Sequence, residues 1–544
     1  MEPVGTILFL LLAVVVSGKI ARLTRAPLPL VQIVLGVAVA LSIVPTVTLD
    51  PEIFFVLFLP PLLFLDGWRI PKDDLLRDRS TIIELALGLV ILTVLGVGLF
   101  IHWLIPAMPL PVAFALAAVI SPTDPIAVSA IAARSRIPKR MMHILEGESL
   151  LNDASGLVCM RFAVAAMLTG SFSLQQAVGS FLWVALGGLA IGIALTWLIS
   201  KGKTWLASRL GEDTSAQILV SLLIPFGAYL LAEELHCSGI LAAVAAGVTM
   251  GFTEQGGQAL AATRVQRTAV WDVVQFAANG VIFVLLGEQL PGIIGKAHET
   301  VLMTGHVEVW WLGVYVLAIS LALGLLRFAW VWTSLKLTWF RRRSEAPPQR
   351  VGLRLVAAMS FAGVRGAITL AGVLTLPLTL LDGTAFPARD LAIFLAAGVI
   401  IVSMIVATIG LPRLLRHLEL PPEPSHDAEI QRVRAAASEA AIQAIEEELH
   451  LISEGKADPD LYTDAAALIM AQYRQRIDGR LQTIEAEALA RRMMEIERRL
   501  RLAGMKAERA EIFRAARGRE LNGEVALRMV RDIDLREARL RAAP

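Results

Sequence analysis

Long apolar runs separated by short polar segments follow one another along most of the chain. An α-helix needs roughly 20 mostly apolar residues to cross a bilayer, and the runs approach or exceed that length. The pattern predicts an all-α polytopic membrane protein with about 13 transmembrane helices. The approximate limits of these spans are 3–18, 28–46, 51–66, 81–103, 110–133, 143–169, 178–200, 216–234, 238–252, 270–290, 308–338, 352–376 and 388–412.

Basic residues fall in alternate loops between the predicted spans. One set of loops holds 22 Lys and Arg residues, whereas the other set holds only Lys296 and Arg389. Cytoplasmic loops of membrane proteins are enriched in Lys and Arg. We therefore predict a multi-pass protein of the plasma membrane, in bacteria the inner membrane, with its N-terminus outside and its C-terminus in the cytoplasm.

Composition agrees with a membrane setting and separates a different C-terminal part. Hydrophobic residues make up 56% of the 544 residues, charged residues make up 18%, and the mean hydropathy is +0.64, as in integral membrane proteins. Residues 417–544 nevertheless carry 21 of the 50 Lys and Arg residues and 24 of the 48 Asp and Glu residues. We predict a transmembrane domain over 1–416 and a cytoplasmic helical region over 417–544. That region forms a short bundle or coiled coil, or it regulates the membrane domain.

The fifth predicted span contains an aspartate between two prolines, in the stretch SPTDPIAV (121–128). Pro122 and Pro125 each remove a backbone donor and disfavour helix in the preceding residue, so the span should be unwound around Thr123 and Asp124. Such backbone persists at membrane depth where it lines a cavity or is packed by protein, and it often coordinates ions. The alternative is a proline kink with a capping aspartate.

The sixth predicted span carries polar side chains at helical spacing in GESLLNDASG (147–156). Ser149, Asn152 and Asp153 stand at i, i+3 and i+4, so their oxygen atoms share one face and can converge on a hard cation. Glu148 points elsewhere on the helix and needs a basic partner. The alternative is a polar stripe at a helix contact.

Glycines flank an arginine in the twelfth predicted span, FAGVRGAITLAG (361–372), and they permit unwinding around Arg365. This span lies seven after the fifth, so the two run in opposite directions. A pair of interrupted helices in matching positions indicates inverted repeats, here about 1–169 and 216–416. The termini of the half-helices point partial charges at the gap between them, which suits Asp124 near positive ends and Arg365 near negative ends.

Five stretches together resemble the monovalent cation/proton antiporters of the NhaP and NHE type, especially bacterial Na⁺/H⁺ antiporters. The resemblance covers about residues 1–415. The stretches are LPPLLFLDGWRIP (59–71), SPTDPIAV (121–128), GESLLNDASG (147–156), GILAAVAAG (239–247) and FAGVRGAITLAG (361–372).

The resemblance implies crossed, unwound fifth and twelfth helices, a homodimer, and a cation/proton-binding carboxylate at Asp153. The other cation/proton-binding residues that it implies are Asn152, Ser149, Thr123, Asp124 and Asp66. Ser149 and Thr123 supply oxygen ligands of Na⁺, and Asp66 has a shorter reach than the glutamate of some members. Further roles are a structural ion pair between Glu148 and Arg327, and stabilisation of the crossing by Asp124 and Arg365.

Competition between Na⁺ and H⁺ at one carboxylate predicts electroneutral antiport. The expected partners are Na⁺, H⁺ and membrane lipid, with no nucleic acid and no cofactor, and Na⁺ is the metal ion expected at Asp153, Ser149 and Thr123. The chain has no G-x-x-x-x-G-K-[ST] phosphate loop and none of the G-x-G-D, HExxH or G-x-S-x-G motifs of hydrolytic enzymes, so we expect a transporter rather than an enzyme. Exchange of K⁺ for H⁺ and a cation channel are the alternatives.

Overall fold

A computed structural model describes most of the chain. The described residues are 2–24, 26–41, 51–70, 84, 88–131, 139–169, 174–211, 213–254, 261–302, 304, 306–341, 353–380, 382–416, 427–453, 459–478, 484–517, 529–530, 532–537 and 540. Several basic loop residues used for the orientation, such as Arg77 and Arg136, lie outside these ranges. So do most of 81–87 and all of 42–46, which belong to the fourth and second predicted spans.

The described residues include 19 α-helices with named bounds, short helical segments at 529–530 and 532–537, and one isolated β-bridge, between Thr379 and Ala385. The helices are α1 (Glu2–Thr24), α2 (Leu28–Ala40), α3 (Pro51–Arg69), α4 (Leu89–Leu104), α5 (Leu110–Ile120), α6 (Pro125–Ile131), α7 (Lys139–Thr169), α8 (Leu174–Leu210), α9 (Thr214–Glu234), α10 (Gly239–Glu254), α11 (Ala261–Gly295), α12 (Ala297–Leu302), α13 (Trp310–Arg341), α14 (Leu353–Phe361), α15 (Ala367–Leu374), α16 (Arg389–Leu415), α17 (Asp427–Ser453), α18 (Pro459–Asp478) and α19 (Ile484–Arg517).

Contacts divide the chain into two compact units, Met1–Glu419 and Leu420–Pro544. In the second unit α17 packs against α18, and a small apolar cluster joins Met505 and Ile512 to Val530 and Ile533. Arg509 pairs with Asp534 at 2.6 Å and also with Glu537. These acidic partners raise the pKa of the Arg509 guanidinium, which therefore stays charged.

The all-α membrane fold predicted from the apolar runs is confirmed. Each of the thirteen predicted spans contains one described helix or, at the fifth and twelfth, two short helices. Six described helices, α7, α8, α9, α11, α13 and α16, have segments long and apolar enough to cross a membrane, and α2, α4, α5 and α10 are shorter apolar helices. The number of spans itself therefore remains a prediction.

Two helix crossings in the first unit are built on glycine pairs. Where α2 crosses α11, a Cβ on Gly287 would lie 3.0 Å from Cα of Gly36. Where α3 crosses α10, a Cβ on Gly67 would lie 2.6 Å from the carbonyl oxygen of Val244, and one on Gly247 would meet the backbone of Phe64. Small residues let membrane helices approach closely, and here the backbones themselves are in contact.

We expect Gly287→Ala to destabilise the folded protein by about 1–3 kcal/mol, because the new methyl group overlaps backbone atoms that cannot move aside. The melting temperature in detergent measures this effect. Gly313→Ala is the matched control, since Gly313 lies inside α13 and a Cβ there would meet no atom within 4 Å. The control should be neutral or stabilised by up to about 1 kcal/mol, and equal destabilisation of both variants would contradict the close-contact explanation.

The helix breaks fall where proline and glycine predict them. α5 ends at Ile120 and α6 begins at Pro125, while α14 ends at Phe361 and α15 begins at Ala367. The two non-helical segments meet, because the backbone N–H of Asp124 donates to the carbonyl of Val364 at 2.7 Å. The crossing therefore joins two distant parts of the sequence in the interior of the first unit.

Candidate ion-binding site

Asp124 occupies the amino end of α6. Its Oδ1 accepts a hydrogen bond from the N–H of Ala127 at 3.0 Å, which is the arrangement of an N-cap aspartate followed by proline at the first helical position. The opposite segment approaches so closely that a Cβ on Gly366 would collide with the Asp124 carboxylate. The aspartate thus places its negative charge at a positive helix end.

Arg365 binds the carbonyl ends of the same crossing. Its Nε donates to the carbonyl of Ile120, the last residue of α5, at 2.9 Å, and its guanidinium also donates to the carbonyl of Gly363. Its backbone N–H donates to Ser403 Oγ at 3.0 Å. The side chain is buried, so the positive charge is matched by partly negative carbonyl oxygens at a helix carboxyl end.

Ser149, Asn152 and Asp153 lie together on α7 and face the unwound segment. Ser149 Oγ lies 2.7 Å from the carbonyl oxygen of Thr123 and 3.2 Å from Asp153 Oδ2. Asn152 Nδ2 donates to Thr123 Oγ1 at 3.1 Å. All four side chains are buried. The helical spacing and the proline-broken backbone therefore bring a carboxylate, two hydroxyl groups and a backbone carbonyl into one place.

A cavity of about 30 Å³ lies at this point, which is room for one or two water molecules or one dehydrated cation. Its walls contain the carboxylates of Asp66, Asp124 and Asp153. Asn152 contacts Thr123 but does not line the cavity. The lining residues are Leu62, Asp66, Pro122, Thr123, Asp124, Pro125, Ser149, Asp153, Asn279, Gly366, Ile368 and Thr369.

The oxygen atoms around the cavity are those that hard cations prefer. No group of three or more His, Cys, Asp or Glu side chains able to hold a metal ion is found among the described residues. The Ser149 hydroxyl, the Thr123 carbonyl and the Asp153 carboxylate lie within hydrogen-bond distance of one another, and Asp66 and Asp124 belong to the same cavity wall.

Asn279 of α11 and Thr369 of α15 line the cavity, although neither residue stood out in the sequence. Asn279 is an amide within an apolar stretch, which is a weak signal for a polar site. Thr369 belongs to the glycine-rich motif FAGVRGAITLAG. It lines the cavity because of the rotation of α15 about its own axis after the helix break. Sequence reasoning had no information about that rotation.

Glu148 and Arg327 form a fully buried ion pair between α7 and α13. Arg327 Nη1 donates to Glu148 Oε1 at 2.5 Å and Nη2 donates to Oε2 at 3.0 Å, and the side chains are 0% and 1% exposed for Glu148 and Arg327. Arg327 Nε also donates to the carbonyl of Met359 in α14, at 3.2 Å. Neither residue lines the cavity, so the pair connects three helices behind the candidate site.

Arg161, farther along α7, pairs with Glu233 at 2.9 Å. The pair connects α7 to α9, and Glu233 also accepts from the N–H of Gly239 at 3.1 Å. Both residues line a second cavity of about 490 Å³, two turns of α7 away from Asp153. The guanidinium is therefore neutralised in a partly exposed space.

Sequence comparisons place this chain among known ion exchangers. The family model described as sodium/hydrogen exchanger, transmembrane, matches residues 7–417. The uncharacterized Na(+)/H(+) exchanger YjcE of Escherichia coli K12 is 43% identical, over 99% of both chains. A sodium, potassium, lithium and rubidium/H(+) antiporter of Bacillus pumilus is 40% identical, over 94% of this chain and 74% of its own.

Structural comparison supports the same conclusion at the level of the fold. The structure of the sodium proton antiporter MjNhaP1 from Methanocaldococcus jannaschii at pH 8 matches with a TM-score of 0.60 and 20% identity, over 77% of this chain and 99% of that one. The resemblance that the five motifs indicated is confirmed. This multi-pass membrane protein belongs to the sodium/hydrogen exchanger family, a family of antiporters.

Proposed function

We propose that this protein exchanges Na⁺ for H⁺ by competition of the two ions at Asp153. The observation that carries the proposal is the convergence of Asp153, the Ser149 hydroxyl and the Thr123 carbonyl beside a cavity of about 30 Å³. Burial disfavours the charged form of a carboxylate, whereas a neighbouring cation favours it. Na⁺ and H⁺ therefore exclude one another at this group.

Ser149 supports a switch between the two states, because its hydroxyl has one proton and two neighbouring acceptors. When Asp153 is protonated, its O–H donates a hydrogen bond to Ser149 Oγ, and the Ser149 O–H donates a hydrogen bond to the Thr123 carbonyl. When Asp153 is ionised, Ser149 donates to the carboxylate instead, and the Thr123 carbonyl is free to bind the cation. One proton leaves the protein as one cation enters.

Electroneutral one-for-one exchange follows from the side chain beside Asp153. Asn152 supplies an uncharged amide, and its Nδ2 is occupied by Thr123. Asp124 is engaged at the end of α6, and we assign it and Arg365 to stabilisation of the crossing. Asp66 lines the cavity and is a secondary ligand, while Glu148 and Arg327 hold the helices together without carrying ions.

Alternating access to the site would follow from two inverted repeats, about 1–169 and 216–416, with the seventh span as their linker. In this correspondence the second and third spans match the ninth and tenth. The crossing of α2 with α11 then corresponds to that of α10 with α3, and both have glycines at the contact. That equivalence supports the repeat.

The loop charges support an N-terminus outside and a C-terminus in the cytoplasm. The bacterial relatives support a location in the inner membrane, where the protein contacts lipid. We further propose a homodimer, as the family resemblance implies. For the choice of ion, the name of the Bacillus pumilus relative supports acceptance of Li⁺ and K⁺ beside Na⁺. K⁺/H⁺ exchange is the second candidate.

The test is dissipation of a pH gradient in proteoliposomes when Na⁺, Li⁺ or K⁺ is added, with the membrane potential clamped or unclamped. We expect Na⁺ to dissipate the gradient at the same rate under both conditions. A rate that rises several-fold on clamping would contradict electroneutral exchange. A response to K⁺ alone would support the K⁺/H⁺ alternative, and cation current without a proton gradient would indicate a channel.

A further inference from the structure

Thr369 has a buried hydroxyl group with no protein partner. Its side chain is 1% exposed, and Oγ1 makes no hydrogen bond within the part of the chain that the structure describes. Leaving such a group unsatisfied costs about 1–3 kcal/mol. Several other threonines of the first unit avoid this cost by donating to a nearby backbone carbonyl, as Thr249 does to Ala245 at 2.7 Å and Thr375 does to Gly372 at 2.7 Å.

The position of Thr369 distinguishes it from the other unsatisfied groups. Buried hydroxyls without partners also occur at Ser121, Thr196, Ser320 and Ser334, and none of these residues lines the site cavity. Thr369 does line it, on α15, whereas Asp153 and Ser149 line it from α7. An unpartnered oxygen thus stands at a cavity whose other polar groups surround the proposed cation position.

We propose that Thr369 Oγ1 is a ligand of the transported cation and a determinant of its affinity, an assignment that rests on the proposed function of the site. A hydroxyl oxygen offers two lone pairs to a cation without adding charge. It therefore strengthens cation binding and leaves the one-for-one competition at Asp153 unchanged. The hydroxyl oxygen gains a partner when the cation is bound, and the free energy lost in the empty site is the cost of keeping a ligand in position.

The decisive variant is Thr369→Val, which keeps the shape of the side chain and removes the hydroxyl. We expect the Na⁺ concentration for half-maximal exchange to rise about tenfold or more, since a bond to a charged group is lost. Thr369→Ser keeps the oxygen and should restore an affinity close to wild type. Thr375→Val is the matched control on the same chain segment. It removes a hydroxyl that donates to Gly372 and does not line the site cavity, so it should leave the Na⁺ dependence unchanged.

Thermal stability separates a ligand from a structural residue. Without Na⁺ or other transported cations, Thr369→Val should melt at the wild-type temperature or above it, because an unsatisfied buried hydroxyl has been removed. It should lose most of the increase in melting temperature that Na⁺ produces in wild type. A structural threonine would give the opposite result, with a lower melting temperature without Na⁺ and the increase retained.

Binding and transport are read independently in this design. If wild type shows the Na⁺-dependent increase but no exchange, the proposed function fails while the role of Thr369 as a ligand is still measured. An unchanged Na⁺ response of Thr369→Val in both assays overturns the inference, as does loss of affinity in Thr369→Ser equal to that in Thr369→Val.

Discussion

Asp153→Asn is expected to abolish Na⁺-dependent proton movement, so that its rate falls to that of liposomes without protein. The amide has nearly the shape of the carboxylate and can still accept the hydrogen bond that Ser149 Oγ makes at 3.2 Å. It cannot release a proton or neutralise a cation. The measurement is the rate of pH-gradient dissipation on addition of Na⁺, with the amount of protein per liposome held equal.

The control for this loss is Ser155→Ala on the same helix. Ser155 Oγ donates to the carbonyl of Leu151 at 2.9 Å, and the residue is absent from the cavity wall. Its variant should exchange ions at a rate near wild type and melt at a similar temperature. Retained Na⁺/H⁺ exchange in Asp153→Asn would show that Asp153 is not the exchanging carboxylate, and Asp66 would then be the next candidate.

Glu148→Gln is expected to destabilise the protein by about 3–5 kcal/mol, because it leaves Arg327 charged and buried without its partner. Arg327 is 1% exposed, so water cannot replace the lost carboxylate. We expect a low yield of folded protein and a lowered melting temperature in detergent. Asp272→Asn is the matched control, because it breaks an ion pair with Arg69 in which the Asp272 side chain is 59% exposed. This variant should lose at most about 1 kcal/mol of stability.

The double variant Glu148→Gln/Arg327→Gln tests whether the pair has a purely structural role. Removing both charges avoids the unpaired arginine, so the double variant should be more stable than Glu148→Gln alone. Where the double variant folds, it should exchange Na⁺ for H⁺, since neither residue lines the cavity. A folded double variant without exchange would show that the pair contributes to transport itself.

Much of the candidate ion-binding site could be predicted from local sequence, because the helix break and the polar face of α7 depend on short-range interactions. Pro122 and Pro125 each remove a backbone donor and disfavour helix in the preceding residue, so their spacing around Asp124 predicted the break in the fifth span. Ser149, Asn152 and Asp153 share a face because helical periodicity alone determines it. The family motifs then indicated which of these groups would meet.

The sequence by itself determined that the chain is a membrane protein with thirteen apolar runs. It also determined both helix breaks and the polar face of α7, since each of these features depends on neighbours within a few residues. Only the tertiary structure decided which helices meet. It paired Arg161 with Glu233, 72 residues away, placed Gly36 against Gly287, and turned Thr369 toward the cavity. These contacts depend on the crossing and rotation of helices far apart in the chain, and a local pattern contains no measure of either.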